Sequence, residues 1–279
     1  MLSRLIAVAA ACAAMVALAG CAGYRTQQAP SGQLAFAYEA PSTLPDPENV
    51  LSFAGERTGL AGRTLKVASL ADIKLYRNEV VLTFDDGPVP HKTPAILDAL
   101  DRHDAKATFL MVGSMARSYP ALVREVAARG HAIGTHTQSH KNLAGIGFDK
   151  AVAEITQGRQ SVAAALIPMG VKPAPFFRFP YLSDTPSLRS HLARSGIVVI
   201  DVDIDSKDYF VSTPDQVRQR TMAALEKRGS GIILLHDLHK RTATMLPDLL
   251  NDLHRRGYKV VNLQPDRQPA THLLAALTN

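Results

Sequence analysis

The sequence contains no tryptophan and only two cysteines, Cys12 and Cys21. Cys12 lies in a hydrophobic leader, so the chain that remains after processing cannot form an intrachain disulfide. The formal net charge is +6, but no block of five or more basic residues occurs and no basic stripe contains interleaved aromatic residues. A nucleic-acid partner therefore has little support. Internal repeats and the glycine fingerprint of dinucleotide-binding folds are also absent.

The hydrophobic leader is typical of an export signal. Arg4 gives it a short positive region, and residues 5–18 are almost entirely Ala, Val, Leu, Ile and Met. This is too short and too rich in alanine for a membrane-spanning helix, so it predicts a signal peptide over residues 1–20. The leader ends in Leu-Ala-Gly before Cys21, which is similar to a bacterial lipobox and predicts acylation of Cys21. Ordinary cleavage, with Cys21 incidental, is the alternative.

Strands and helices are expected to alternate from about residue 77 onward. The segment before it, residues 21–75, begins with a stretch rich in Gln, Ala, Pro and Ser and is interpreted as a tether and N-terminal extension. Strands are predicted over 79–84, 107–112, 132–134, 176–179, 197–204, 231–235 and 258–262. Helices are predicted over 93–103, 120–129, 150–166, 188–195, 213–228 and 245–256. This alternation predicts an α/β fold with a parallel sheet, and the strand number favours a barrel.

The strand predicted over residues 79–84 ends in two adjacent carboxylates, Asp85 and Asp86, before a Gly-Pro turn. Two like charges at the mouth of a core cost free energy unless a metal or another cation neutralises one of them. Active sites of α/β barrels and open α/β sheets lie at this end of the strands. A strand followed by an ordinary Asp-Gly turn is the alternative.

Polar residues also follow other predicted strands. His136 and His140 have the i, i+4 spacing of metal ligands and share a face if the segment turns helically. Arg178 follows a short strand and is suited to orient a carboxylate. His236 ends another apolar strand, where a satisfied core histidine is the simpler interpretation. In addition, Asp201, Asp203 and Asp205 are predicted to share one face of the strand over 197–204.

Together these residues resemble the five motifs of the polysaccharide deacetylases of carbohydrate esterase family four, the NodB-homology domain. The motifs occur in order as Thr83-Phe84-Asp85-Asp86-Gly87, His136-Thr137-Gln138-Ser139-His140, Arg178-Phe179-Pro180-Tyr181, Asp205-Ser206-Lys207-Asp208-Tyr209 and Leu234-Leu235-His236. The resemblance implies a distorted (β/α)7 barrel and a catalytic domain over residues 76–265, followed by a tail over 266–279. The fourth motif departs from the family pattern, because Tyr209 stands where the family usually has Trp.

The resemblance implies a role for each motif residue. Asp86, His136 and His140 would bind a divalent metal, with Zn²⁺ expected and Co²⁺ as the second choice. Asp85 would be the general base and Arg178 its counter-charge. His236 would be the general acid, oriented by Asp208, and the backbone N–H of Tyr181 would stabilise the oxyanion. Tyr209 and Leu234 would form walls of the acetyl and sugar pocket.

The implied activity is N-deacetylation of an N-acetylhexosamine polymer, such as peptidoglycan, chitin-like glycan or exopolysaccharide, at the cell envelope. An O-acetyl esterase acting on xylan or another acetylated glycan is the first alternative, and a non-catalytic glycan-binding lipoprotein is the second. The lipobox predicts an exported, membrane-anchored lipoprotein. Ala22 rather than Asp follows Cys21, so the periplasmic face of the outer membrane is expected if the source is Gram-negative.

Overall fold

A parallel β-sheet with helical connections runs through residues 59–266, the part of the chain that the computed structural model describes. The predicted signal peptide, the predicted lipidation site Cys21 and most of the predicted N-terminal extension lie outside the described residues. So does the predicted C-terminal tail, apart from Asp266. None of the helices within residues 59–266 is both long enough and apolar enough to cross a bilayer.

Helices and strands alternate along the chain, as the hydrophobic pattern predicts. Within residues 59–266 the strands are β1 (Ala61–Val67), β2 (Glu79–Asp85), β3 (Thr108–Met111), β4 (Ala132–Thr135), β5 (Phe176–Phe177), β6 (Val198–Val199), β7 (Ile204–Asp205), β8 (Gly231–His236) and β9 (Lys259–Pro265). In the same part of the chain the α-helices are α1 (Lys92–Arg102), α2 (Gly113–Ser118), α3 (Pro120–Ala128), α4 (Phe148–Leu166), α5 (Pro186–Arg194), α6 (Pro214–Arg228) and α7 (Lys240–Arg255). The predicted α/β fold with a parallel sheet is confirmed.

Strand β2 is the centre of the sheet. It pairs with β3 on one side and with β8 on the other, and the ladder continues from β3 through β4 and β5 to β6. Strand β7 pairs with β8, and in the described part of the chain the ladder is open between β6 and β7. Strand β9 pairs with the first residues of β2 on one side and with β1 on the other. The sheet therefore begins before residue 76, with β1.

The two faces of β2 have different roles. Val80, Leu82 and Phe84 are buried in a cluster with side chains of the surrounding helices. Burial of each such side chain stabilises the fold by about 1.5–3 kcal/mol. Thr83 and Asp85 alternate with them and therefore point to the opposite face, where a buried polar group needs partners. Packing on the outer face thus holds two polar side chains firmly on the inner face.

The chain between residues 197 and 205 does not form the single strand that was predicted. Strand β6 beside β5 and strand β7 beside β8 are two short, separate segments. The carbonyl groups of Ile200 and Asp201, which lie between them, accept hydrogen bonds from the Arg178 guanidinium instead of from a neighbouring strand. The prediction that three aspartates share one strand face is therefore wrong. Each has its own partner: Arg189 for Asp201, Arg228 for Asp203 and the Tyr209 hydroxyl for Asp205.

Candidate active site

The two adjacent carboxylates lie where β2 ends. Asp85 is the last residue of the strand, and its side chain is 2% exposed. Asp86 follows with a φ of 81°, a left-handed conformation that is uncommon for residues other than glycine. This conformation takes the chain out of the strand, and both carboxylates line the same pocket. Strained backbone of this kind is concentrated at functional sites.

Arg178 provides the counter-charge for Asp85. Its guanidinium is 1% exposed and donates to Asp85 Oδ1 and to Thr83 Oγ1, both at 2.8 Å. The remaining donors reach the carbonyl oxygens of Ile200 at 3.0 Å and Asp201 at 3.2 Å. A buried ion pair is tolerated only when such additional hydrogen bonds satisfy its free donors. Arg178 therefore fixes the orientation of Asp85 and binds the backbone of the segment that connects β6 to β7.

Asp86, His136 and His140 form a cluster that fits a metal ion. Their ligand atoms all lie within 4.8 Å of one another. Asp86 Oδ1 is 3.5 Å from His136 Nε2 and 3.2 Å from His140 Nε2. Within residues 59–266, this Oδ1 atom is buried without a hydrogen-bond partner, an arrangement that calls for a cation. One carboxylate and two imidazoles are a donor set that suits Zn²⁺ and leaves a position open for water.

The state of the His136 ring also suits a ligand. Its Nδ1 atom lies 2.8 Å from the carbonyl oxygen of Arg178, to which it donates its proton, so Nε2 carries the free lone pair. Burial lowers the pKa of His136 against the opposing effect of Asp85 and Asp86. The imidazole is therefore neutral at physiological pH, as coordination requires.

A tight turn, not a helix, brings the two histidines together. The segment after β4 forms a turn in which Thr137 and His140 have φ values of 66° and 56°. The Thr137 hydroxyl accepts a hydrogen bond from the His140 backbone N–H at 3.0 Å. The rings of His136 and His140 are 5.0 Å apart at their centroids. The helical arrangement considered from the i, i+4 spacing is thus wrong, although both side chains reach the same cluster.

Glu154, on α4, holds this turn and is not predicted from the sequence. Its carboxylate accepts hydrogen bonds from the Ser139 backbone N–H at 2.9 Å and from the Ser139 hydroxyl at 2.8 Å. It also pairs with the Lys141 ammonium at 3.0 Å. The residues on both sides of His140 are therefore tied to one buried carboxylate. The feature of the sequence that could have indicated this role is that Glu154 is acidic while the other buried positions of α4 are apolar.

His236 and Asp208 form the second charged pair of the site. His236 Nδ1 is 2.6 Å from Asp208 Oδ1, and the His236 backbone N–H donates to Asp208 Oδ2 at 2.8 Å. Burial alone would lower the pKa of His236, but the hydrogen bond and charge of Asp208 outweigh it and raise the pKa to about 9. Burial opposes ionisation of Asp208, yet the contacts with His236 lower its pKa. The imidazolium form is therefore favoured at neutral pH.

One cavity of about 330 Å³ brings the candidate residues together. Asp85 and His236 are register partners across β2 and β8, so both lie at the same edge of the sheet. The predicted wall residues Leu234 and Tyr209 line the cavity. Burial and the hydrogen bond to Asp205 raise the pKa of Tyr209 to about 12, so its hydroxyl stays protonated.

Tyr181 lies on the metal-cluster side of the cavity. Its ring is in contact with the His140 ring at a centroid distance of 4.7 Å, and its side chain is 67% exposed. Its φ of 60° places it in the left-handed region, directly after the rigid Pro180. Of the predicted site residues, only Cys21 lies outside the described part of the chain.

Comparisons with known proteins identify related chains. A family model described as polysaccharide deacetylase matches residues 73–200. The chain is 32% identical over 196 residues to a chitin deacetylase of Colletotrichum lindemuthianum, covering 66% of this chain and 77% of that protein. It is 30% identical over 202 residues to a peptidoglycan-N-acetylglucosamine deacetylase of Listeria monocytogenes, covering 72% of this chain.

Among solved structures, the peptidoglycan deacetylase Bd3279 of Bdellovibrio bacteriovorus matches with a TM-score of 0.65 and 35% identity, over 77% of this chain. The chain spans less than two thirds of the length of two of these proteins. It covers 41% of the length of the Listeria protein and 58% of the Bdellovibrio chain.

Proposed function

Because the chain belongs to the polysaccharide deacetylase family, we propose that it is a metal-dependent hydrolase that removes acetyl groups from N-acetylhexosamine residues of a polysaccharide. One observation carries this proposal. Asp85 and His236, each with its own charged partner, share a cavity with the cluster of Asp86, His136 and His140. We also infer that the parallel sheet belongs to a distorted (β/α)7 barrel. The matched relatives act on chitin and peptidoglycan, which supports peptidoglycan, a chitin-like glycan or an exopolysaccharide as the substrate class.

The metal would be held by Asp86, His136 and His140. When bound, a divalent cation, Zn²⁺ or alternatively Co²⁺, supplies Lewis acidity that polarises the acetyl carbonyl and lowers the pKa of water. The chain itself supplies the proton transfers. Asp85, held by Arg178, accepts a proton from the attacking water, and the charge that develops on the carbonyl oxygen receives a hydrogen bond from the Tyr181 backbone N–H.

His236 completes the reaction on the leaving-group side. As the C–N bond breaks, the imidazolium donates its proton to the departing amine, and the products are acetate and a free amino sugar. Asp208 keeps the proton on His236 until this step. Leu234 and Tyr209 would enclose the acetyl group and the sugar ring. Tyr209, smaller than the Trp usual in the family, would leave a wider and more polar wall, because its hydroxyl remains bound to Asp205.

Release of acetate from a panel of glycans tests this proposal. We expect acetate from N-acetylglucosamine oligomers, with activity lost after treatment with a chelator and restored by Zn²⁺ or Co²⁺. Activity that persists in demonstrably metal-free protein would refute the metal-dependent mechanism. Release from acetylxylan alone would support the O-acetyl esterase. Glycan binding without acetate release from any substrate would support the non-catalytic glycan-binding lipoprotein.

We further propose that the protein is an exported lipoprotein, anchored through an acylated Cys21, on the periplasmic face of the outer membrane in a Gram-negative source. The support is the similarity of the leader to a lipobox and the presence of Ala22 after the cysteine. Cys21→Ser should move the protein from the membrane fraction to the soluble fraction and abolish labelling by a radioactive fatty acid. Unchanged labelling would disprove lipidation at this residue.

A further inference from the structure

We propose that an exposed aromatic ledge, formed by Tyr209, Phe210 and Val211, binds the sugar unit that adjoins the one being deacetylated. This inference rests on the proposed function and extends it, because it makes a glycan chain the preferred substrate over a short fragment. Phe210 is 55% exposed and Val211 is 99% exposed. Contiguous apolar surface of this kind marks binding sites.

The ledge continues the wall of the catalytic cavity. The Tyr209 ring lines the cavity and lies 5.5 Å from the His236 ring. The Phe210 ring lies 4.7 Å from the Tyr209 ring, further along the chain and outside the set of cavity-lining residues. Phe210 therefore extends the aromatic surface that begins at Tyr209 in the cavity wall. This continuity indicates a neighbouring part of the same substrate.

The ledge is held in place although its side chains are exposed. Arg220 donates to the carbonyl oxygens of Ser206 at 2.9 Å and Lys207 at 3.0 Å. Arg241 donates to the carbonyl oxygens of Asp208, at 3.2 Å, and Phe210. Two guanidinium groups thus fix the backbone on which the aromatic rings stand. A surface that is ordered in advance loses little conformational entropy when a ligand binds.

The chemistry of the ledge suits a sugar ring. Hexose rings present a face of C–H groups, and aromatic side chains provide large, rigid apolar area for such faces. Arg220 on α6 and Arg241 on α7 already bind backbone carbonyls of this loop, so the ledge itself offers an apolar face. A second apolar pair, Tyr181 and Leu182, also lines the cavity and is 67% and 48% exposed. Exposed apolar side chains therefore stand on the His140 side and on the His236 side, as an extended glycan requires.

Chain-length dependence tests the ledge. With N-acetylglucosamine and its oligomers from the dimer to the hexamer, Phe210→Ala should raise KM for the tetramer and hexamer by about tenfold and leave KM for the monomer unchanged, because the monomer has no adjoining sugar unit. Phe210→Tyr should restore most of the loss, because it keeps the ring. The matched control is Ile167→Ala, which removes a 73% exposed apolar side chain outside the cavity lining and should leave every KM unchanged.

Two kinetic outcomes would refute sugar binding at the ledge: an equal change of KM at all chain lengths, or no change at any length. Self-association that Phe210→Ala abolishes would also overturn it, since the occupant would then be a second copy of this chain. If the wild-type protein releases no acetate from any oligomer, the proposed function fails. Calorimetric titration with the hexamer still tests sugar binding at the ledge in that case. A tenfold weaker affinity of the Phe210→Ala variant for the hexamer supports the proposal, and an affinity equal to that of the wild type refutes it.

Discussion

Asp86→Asn is expected to abolish tight metal binding and, with it, deacetylase activity. Asp86 Oδ1 is the atom that both histidines approach, and among the residues that the structure describes it has no hydrogen-bond partner although it is buried. An amide oxygen carries no negative charge, so it cannot neutralise a divalent cation. We expect the affinity for Zn²⁺ to fall by more than about 100-fold, the upper value for loss of a residue that only supports a ligand. Competition with a chromophoric chelator measures this affinity independently of activity.

Asn is the appropriate replacement because it tolerates the left-handed backbone of Asp86 better than most residues. Asp104 provides a matched control. It also has a positive φ, 51°, and it is not among the residues that line the cavity. Asp104→Asn should therefore keep full metal affinity and full activity. Wild-type metal affinity in Asp86→Asn would show that the cluster is not the metal site.

Glu154→Gln should produce an intermediate loss in the same titration. The carboxylate of Glu154 accepts hydrogen bonds from Ser139 and pairs with Lys141, the two neighbours of His140. An amide keeps the shape but weakens these charge-assisted contacts, so the turn that presents His140 becomes less ordered. We expect a drop in metal affinity of about tenfold. Glu125→Gln, which weakens the ion pair between Glu125 on α3 and Arg129, should have no effect.

The strand ends could be predicted from the sequence because each combines a short apolar run with a polar residue at its end. Strand β2 covers residues 79–85 and β8 covers 231–236, within one residue of the predicted 79–84 and 231–235. Both strands are buried on two faces, so their nearly continuous apolar sequence indicates a buried strand directly. The polar residues at the strand ends could be named for the same reason, since parallel strands bring their carboxyl ends to one edge. The cavity residues Tyr181, Tyr209 and Leu234 were implied by the family resemblance instead.

Other features depended on contacts that are distant in the sequence. The alternation of residues 197–204 predicts one strand, but Arg178 lies about 20 residues earlier and binds the carbonyl groups in the middle of it. In the sequence Glu154 is one polar residue of a predicted helix, and its role is recognised only from its contacts with Ser139. The turn between His136 and His140 has left-handed backbone at Thr137 and His140, and the contact that holds it comes from Glu154, 15 residues after Ser139. Tertiary contacts decided all three.

The pH dependence of the reaction should follow the imidazolium of His236. Because the pKa of His236 is raised, from 6.5 to about 9, the acid form persists through neutral pH and is lost as the pH rises through that value. The charges of Asp85 and Asp86 contribute to the raised pKa of His236, and a bound cation would offset that contribution. The falling limb of kcat against pH is therefore expected between about 6.5 and about 9. Asp208→Asn should move this limb to lower pH, because it removes the charge that favours the imidazolium.

His236→Ala should slow amide cleavage far more than cleavage of an activated ester. The amine leaves only with a proton, whereas a nitrophenolate leaves as the anion, so only the amide needs the acid. A general acid contributes about 10²–10⁴-fold to the rate, and we expect a loss in this range for N-acetylglucosamine oligomers but less than about tenfold for p-nitrophenyl acetate. Metal content, measured alongside, should stay at the wild-type value, since His236 is outside the Asp86 cluster. Equal losses on both substrates would show that His236 is not the acid.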